Sequence, residues 1–223
     1  MTNLLFKLSA FSTLIPFITI SLFILKFESR RSIISLWLLL CLASVTEIIM
    51  SILALMAIRN VLIFHAYTLI ECILVLKILL NWQQNKSVRK WICSAIPFYI
   101  VIYFGLKLAG LEKLESDSYN FITRPIALII MNAFIFSTLF EFWKNTQTYL
   151  RDDYRFWVLI SLGIYYSSSI IIFSFSYLPD RELLYRLVHI HAILNITHNL
   201  LMTIGIFQLR KNQLPTFPPA STL

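Results

Sequence analysis

Residues 32–58 read SIISLWLLLCLASVTEIIMSILALMAI and residues 61–82 read VLIFHAYTLIECILVLKILLNW, with only Arg59 and Asn60 between them. Each run is longer than the roughly 20 helical residues that cross the hydrocarbon core of a bilayer. A two-residue connection forces the second run to return alongside the first. The pair is therefore predicted to be a hairpin of two antiparallel transmembrane helices.

The rest of the chain repeats this pattern of long apolar runs. Hydrophobic residues make up 58% of the 223 residues and charged residues only 13%, which is about half of the roughly 25% charge that is usual in soluble globular proteins. The sequence predicts an all-α integral membrane bundle of seven transmembrane helices over residues 1–211, followed by a disordered cytoplasmic tail at 212–223. The predicted spans are residues 8–26, 32–58, 61–82, 91–110, 121–143, 154–178 and 183–209.

The net charge of +8 comes from short clusters of Lys and Arg between the apolar runs. Such clusters orient membrane proteins, with the more positive loops in the cytoplasm, so a nucleic-acid partner is not expected. Seven basic residues fall on the side that holds the N-terminus, and eleven fall on the opposite side: Lys26, Arg30, Arg31, Lys86, Arg89, Lys90, Lys144, Arg151, Arg155, Arg210 and Lys211. The bias predicts an N-terminus outside, a C-terminus in the cytoplasm, and the lipid bilayer as the surrounding partner.

Polar side chains inside the spans are the candidate functional residues, because hydrocarbon penalises ionisable groups. The predicted ligand-binding set is Glu47, His65, Tyr67, Glu71, Arg124, Asn132, Tyr166, His191, Asn195 and His198. At about 1.5 Å of rise per residue, the two glutamates, Asn132, Tyr166, Asn195 and His198 fall near the middle of their helices. His65, Tyr67, Arg124, His189 and His191 form a second layer nearer the outer face.

The last span carries its polar residues at helical spacing. His191, Asn195, His198 and Asn199 recur at i, i+4, i+7 and i+8, which places them on one stripe of a helix. Such a stripe is expected to face the bundle interior rather than lipid.

Several chemical roles for these residues stay open. Glu47 and Glu71 either pack as interhelical hydrogen bonds or contact a ligand, a proton or a metal ion. No metal ligand is assigned, and the candidates are His65, Glu71, His191 and His198. Haem ligation by His65 and His191 is a further alternative.

Two cofactor classes fit the sequence poorly, and the cofactor is left unknown. The zinc-dependent ceramidase and progestin-receptor-like group carries two histidines four residues apart in its last helix, whereas this chain has Asn195 at the second position, and an amide is a poor zinc ligand. A retinal Schiff base needs a lysine deep in the last helix. The last span has no lysine between Arg186 and Lys211.

The stretch His65-Ala66-Tyr67-Thr68-Leu69-Ile70-Glu71, together with Asn195, resembles small uncharacterised bacterial seven-transmembrane proteins whose genes lie near those of sensor histidine kinases. The resemblance covers most of the chain. It implies a sensory or receptor-like module in a bacterial inner membrane. It implies no activity and no established functional residues.

The leading hypothesis is a multi-pass sensor or receptor-like protein, and the sequence leaves open whether it is an enzyme. A small molecule or lipid would enter from the outer side and contact His65, Tyr67, Glu71, Arg124 and His191, with Arg124 favouring an anionic ligand. Because no large loop or nucleotide site is evident, a cytoplasmic or membrane signalling protein would carry the output. The alternatives are a membrane-embedded metal-dependent lipid hydrolase and a proton-coupled transporter of small solutes.

Overall fold

The computed structural model describes residues 2–24, 31–56, 58, 61–112, 121–145, 150–175 and 181–213. Within these residues the chain forms helices α1 (Thr2–Ser12), α2 (Leu14–Phe23), α3 (Arg31–Leu55), α4 (Val61–Trp82), α5 (Lys86–Leu108), α6 (Thr123–Asn145), α7 (Tyr154–Phe175) and α8 (Arg181–Gln213), with a short 3-10 helix at Leu150–Asp152. Seven spans are long and apolar enough to cross a membrane, and α1 and α2 together supply the first of them. The chain is a multi-pass membrane protein of the all-α class, as predicted.

Several helix ends differ from the predicted bounds by a few residues, and two of these differences have a clear local description. α5 begins at Lys86, five residues before the predicted position. The Asn85 side chain caps it by accepting hydrogen bonds from the N–H groups of Ser87 (2.9 Å) and Val88 (3.3 Å), which satisfies two of the unpaired donors at a helix start. α8 continues to Gln213, so the first two residues of the predicted tail are helical, and residues 214–223 lie outside the described ranges.

The first span is one membrane-spanning segment, Leu4–Phe23, as predicted, but its helical hydrogen bonding is interrupted at Thr13, whose φ of −64° and ψ of −25° remain helical. α1 ends at Ser12 and α2 starts at Leu14. Pro16 explains the interruption, because proline has no N–H for the carbonyl four residues earlier, that of Ser12, and its ring clashes with that carbonyl. Ser44 of α3 donates a hydrogen bond to the Thr13 carbonyl oxygen at 3.2 Å. The break is therefore held against α3.

Six helices form a closed ring. Neighbours in contact run from α2 to α3, α4, α6, α7, α8 and back to α2. α5 lies outside this ring against α4 and α6, and α1 packs on α8 and α2. The ring therefore encloses an interior space that four or more helices can reach.

The side chains are distributed as expected for a bundle in lipid. Val101 and Phe140 expose 69% and 59% of their surface on the outside, whereas His65, Glu71 and Thr68 are buried. An apolar exterior is stable in hydrocarbon, and polar side chains inside need partners from neighbouring helices. The positions of those buried polar groups define the candidate site.

Gly205 allows α8 to approach α7 closely. A Cβ atom at this position would lie 3.1 Å from the Tyr154 carbonyl oxygen and 3.2 Å from Cβ of Trp157. Gly105 on α5 has no other atoms within 4 Å of the equivalent point. Gly205 is therefore a closely packed position and Gly105 an open one, so the two can be compared by the same substitution.

Replacing Gly205 with Leu is expected to destabilise the protein by about 1–3 kcal/mol, because the added atoms meet backbone that has no room to move. Thermal unfolding in detergent micelles, followed by circular dichroism, measures the loss. Gly105→Leu is the control and should unfold at the wild-type temperature. Equal unfolding temperatures for the two variants would contradict the close α7–α8 packing.

Candidate intramembrane polar site

A cavity of about 130 Å³ lies inside the ring of helices. Thr13 and side chains from α3, α4, α7 and α8 supply its polar lining: Thr13, Thr46, Glu47, Tyr67, Glu71, Tyr165, Tyr166, Asn195, His198 and Asn199. The sequence placed the two glutamates, Tyr166, Asn195 and His198 at similar depth. The structure brings these five together around one space.

Four residues of the predicted set do not line the cavity. They are His65, Arg124, Asn132 and His191. Asn132 is buried on α6, and its side-chain oxygen has no hydrogen-bond partner among the described residues. Each of the other three contacts a side chain of a neighbouring helix.

Glu71 is fully satisfied by side chains from three helices. Arg124 Nη1 of α6 donates to Oε2 in a buried ion pair. The hydroxyls of Tyr67 and Tyr166 donate to Oε1 at 2.8 and 3.2 Å. Both carboxylate oxygens therefore have partners, and the negative charge of Glu71 is balanced by Arg124.

Arg124 does not stand at an outer mouth, contrary to the expectation that it would attract an anionic ligand. Its side chain is 2% exposed, and its charge is balanced by Glu71. The guanidinium carbon also lies 5.6 Å from the ring centre of Phe64 and 5.5 Å from that of Tyr67, within the range of cation–π attraction. From the first turn of α6, its long side chain reaches inward to the glutamate.

Glu47 differs from Glu71 in having no hydrogen-bond or ion-pair partner among the described residues. It is half-buried on α3 and lines the cavity. No hydrogen bond or ion pair to it is made within the described part of the chain. Its carboxylate is therefore available to a group that enters the cavity.

His65 belongs to a separate cluster near the C-terminal end of α5. Lys107 Nζ of α5 lies 2.8 Å from its Nδ1 atom, and the Tyr103 hydroxyl donates to its backbone carbonyl at 3.0 Å. An ammonium group can only donate, so Nδ1 accepts and the ring proton is on Nε2. Lys107 also forms an ion pair with Glu112 at 3.2 Å. These contacts hold His65 toward α5.

Glu112 is an acidic cap on α6. Its Oε1 atom accepts from the backbone N–H groups of Ile122 (2.9 Å) and Thr123 (3.2 Å), and the Thr123 hydroxyl donates to Oε2 at 2.6 Å. Burial raises the pKa of Glu112, but the hydrogen bonds from Thr123, Ile122 and Lys107 outweigh burial and hold that pKa below its ordinary value of 4.5. A negative charge here also interacts favourably with the positive N-terminal end of the α6 helix dipole.

The histidines of the α8 stripe contact α7. His191 Nδ1 lies 2.9 Å from the Ser168 hydroxyl, and His198 Nδ1 lies 2.7 Å from the Ser161 hydroxyl. The Tyr165 ring lies between them, with centroid distances of 5.6 and 4.9 Å. Of the two histidines, only His198 lines the cavity.

The asparagines of the same stripe contact α1 instead. The Asn195 amide donates to the Ser9 hydroxyl at 2.9 Å, and the Asn199 amide donates to the Ser12 hydroxyl at 2.8 Å. The stripe therefore divides, with imidazoles on one neighbour and amides on the other. This pairing fixes the first span against the last.

The candidate metal ligands occupy separate hydrogen-bonded groups. Glu71 pairs with Arg124, His65 contacts Lys107, and His191 and His198 contact different serines. Among the described residues no three His, Cys, Asp or Glu side chains come together in a way that suits a metal ion.

Sequence reasoning missed the hydroxyl partners of the stripe and the role of Lys107. Ser9 and Ser12 lie on one face of α1 at the i, i+3 spacing, which matches the i, i+4 spacing of Asn195 and Asn199. That correspondence was readable in the sequence. The contact between Lys107 and His65 was not readable, because it depends on how α5 lies against α4.

No family model, curated protein or solved structure matches this chain. The function therefore has to be argued from the geometry of the cavity.

Replacing Arg124 with Gln is expected to cost about 3–5 kcal/mol of unfolding free energy, because it leaves Glu71 buried without its cation. Glu71→Gln should cost a similar amount. The double variant should lose less than the sum of the single losses, since it holds no unpaired charge. Unfolding by SDS in mixed micelles measures all four proteins.

The matched control for this cycle is Arg186→Gln. Arg186 pairs with Glu182 on the surface, where the two side chains are 71% and 74% exposed, so its loss should change little. Strictly additive losses for Arg124 and Glu71 would rule out their coupling.

Acid is expected to weaken the Glu112 cap. Because the pKa of this carboxyl is lowered on folding, its stabilisation is present above its ordinary value of 4.5 and disappears as pH falls through the lower folded pKa. The stability difference between wild type and Glu112→Gln should therefore shrink below about pH 4.5. Thermal midpoints from pH 7 to pH 3 measure it, and Glu182→Gln is the exposed control. A difference that is independent of pH would contradict a charged cap.

Proposed function

We propose that the protein is a receptor-like sensor module that holds the polar group of a small molecule or lipid in the cavity between α3, α4, α7 and α8. One observation carries this proposal. Glu47 faces that cavity without a partner among the described residues, alongside hydrogen-bonding groups from three other helices. An unpaired polar group in an apolar interior is unfavourable. A cation or hydrogen-bond donor from a ligand would stabilise it.

The arrangement also suits transmission of a signal. A group bound at Glu47 would touch side chains of α4, α7 and α8 at once, so its binding favours one relative position of these helices. We propose a bacterial inner membrane, with the N-terminus outside. The short basic segments on the cytoplasmic side would contact a signalling protein or anionic lipid head groups. The burial of Arg124 inside the bundle supports this orientation, because it removes one basic residue from the outer loops.

Two other functions use the same residues. A metal-dependent lipid hydrolase requires ligands that converge, which the described side chains do not do. A proton-coupled transporter would use Glu47 as the proton carrier. About one zinc or iron ion per purified protein would support the hydrolase. Proton-coupled solute uptake in proteoliposomes that is lost in Glu47→Gln would support the transporter.

We expect the cavity to bind n-butylamine in preference to n-butanol and to exclude butyrate, because the available carboxylate favours a cation. A rise in the unfolding temperature of the detergent-solubilised protein reports binding, since a ligand that binds only the folded state stabilises it. Ala43→Trp, which fills the cavity from α3, should abolish the rise. Glu47→Gln should remove the preference for the amine over the alcohol.

Ile49→Trp is the matched control, because Ile49 is an exposed position of the same helix and lies outside the cavity lining. It should bind butylamine like wild type. An amine effect that survives in Ala43→Trp would place binding elsewhere and overturn the proposed function.

A further inference from the structure

The polar cavity is too small to hold a whole ligand of ordinary size. Its volume is about 130 Å³, whereas ligand pockets usually measure about 300–1,000 Å³. An engineered cavity of about 150 Å³ is filled by benzene. The space between the four helices therefore fits a head group, and the remainder of a larger ligand has to lie in an adjoining space.

An adjoining space exists on the membrane-facing side. A cleft of about 680 Å³ lies between α1 and the C-terminal half of α3, and its lining is mostly apolar, with Phe11, Ile48 and Ile52 among its residues. Glu47 and Thr13 line both the cleft and the polar cavity. The unpaired carboxylate therefore stands at the junction of a hydrocarbon-lined space and a polar one.

The first span lies beside this cleft with its N-terminal half on α8. Its helical hydrogen bonding is interrupted at Thr13. α1 packs on α8 and α2, whereas α2 packs on both α8 and α3. Phe11 and Ile52 are largely exposed at the cleft, on a surface that faces lipid rather than water. A molecule dissolved in the bilayer can reach Glu47 from the side.

We propose, as an extension of the function proposed above, that the ligand is a single-chain amphiphile with a cationic or hydrogen-bond-donating head group. Its head group contacts Glu47 in the polar cavity. Its hydrocarbon chain occupies the cleft between α1 and α3, through which it enters from the bilayer. Lys7 lies at the other end of the cleft lining. If the ligand were an anionic amphiphile, its head group would contact Lys7 rather than Glu47.

Photo-cross-linking tests this placement in the full-length protein. The probe is dodecylamine with a diazirine at mid-chain, added to protein in phosphatidylcholine nanodiscs. Cross-linked residues are identified by mass spectrometry. We expect them on α1 and α3 around Phe11 and Ile52, with at least a fivefold reduction by excess dodecylamine and little reduction by dodecanoate.

Variants that fill the cleft sharpen the test. Ala10→Trp should reduce the cross-linking at the cleft at least fivefold and leave butylamine binding unchanged, because the polar cavity is untouched. Ser51→Trp fills the same cleft from α3 and serves if Ala10→Trp does not fold. Ala133→Trp is the matched control, on an exposed face of α6 outside the cleft, and should cross-link like wild type.

The outcomes separate this inference from the proposed function. Cross-links spread evenly over the lipid-facing helices, unchanged by Ala10→Trp, would overturn the cleft while butylamine binding keeps the receptor proposal intact. Competition by dodecanoate that is lost in Lys7→Gln would overturn the assignment of the head group to Glu47. Loss of both butylamine binding and local cross-linking would overturn both proposals.

Discussion

The ion pair between Glu71 and Arg124 is the constraint around which the polar interior is organised. Removing two charges from water is costly, so such a pair is stable only where hydrogen bonds satisfy the remaining positions. Tyr67 and Tyr166 donate hydrogen bonds to the other oxygen of the Glu71 carboxylate. The ion pair and these hydrogen bonds together join α4, α6 and α7. The same interaction makes the two glutamates of the cavity unlike each other. Glu71 is balanced by Arg124, whereas Glu47 has no partner within the described ranges of the chain.

Polar groups at other depths stabilise the bundle without reaching the cavity. Glu112 and Lys107 join the start of α6 to α5, and Lys107 in turn contacts the buried His65, which lies outside the cavity lining. Asn195 joins α8 to α1, although it also borders the cavity. Burial of a polar residue in a membrane bundle therefore does not by itself identify a binding residue. Absence of a partner next to a cavity is the more informative feature, and among the described residues that line this cavity it distinguishes Glu47 from Glu71.

Much of the architecture was predictable because run length and helical rise are local properties. The spans follow from the lengths of the apolar runs, and the shared depth of Glu47, Glu71 and His198 follows from counting residues along antiparallel helices. The direction of each side chain was not predictable, because it depends on how neighbouring helices are rotated. Arg124 was placed near the outer face by its Cα position, yet its long side chain reaches Glu71. The division of the α8 stripe between α7 and α1 depends on the same tertiary information.

The position of Glu47 determines what kind of selectivity this site can have. A hydrocarbon chain gains little on moving from lipid into an apolar cleft, because lipid tails are as apolar as the side chains that line it. Discrimination between amphiphiles therefore has to arise at the polar end, where one unpaired carboxylate meets fixed hydroxyl, imidazole and amide groups. In the proposed binding mode the cleft determines how the ligand enters and how long its hydrocarbon chain can be, while the cavity determines which head group binds. Because α1 and the C-terminal half of α3 line the cleft, and the Glu71–Arg124 pair lies beside the cavity, the two properties depend on largely separate parts of the sequence.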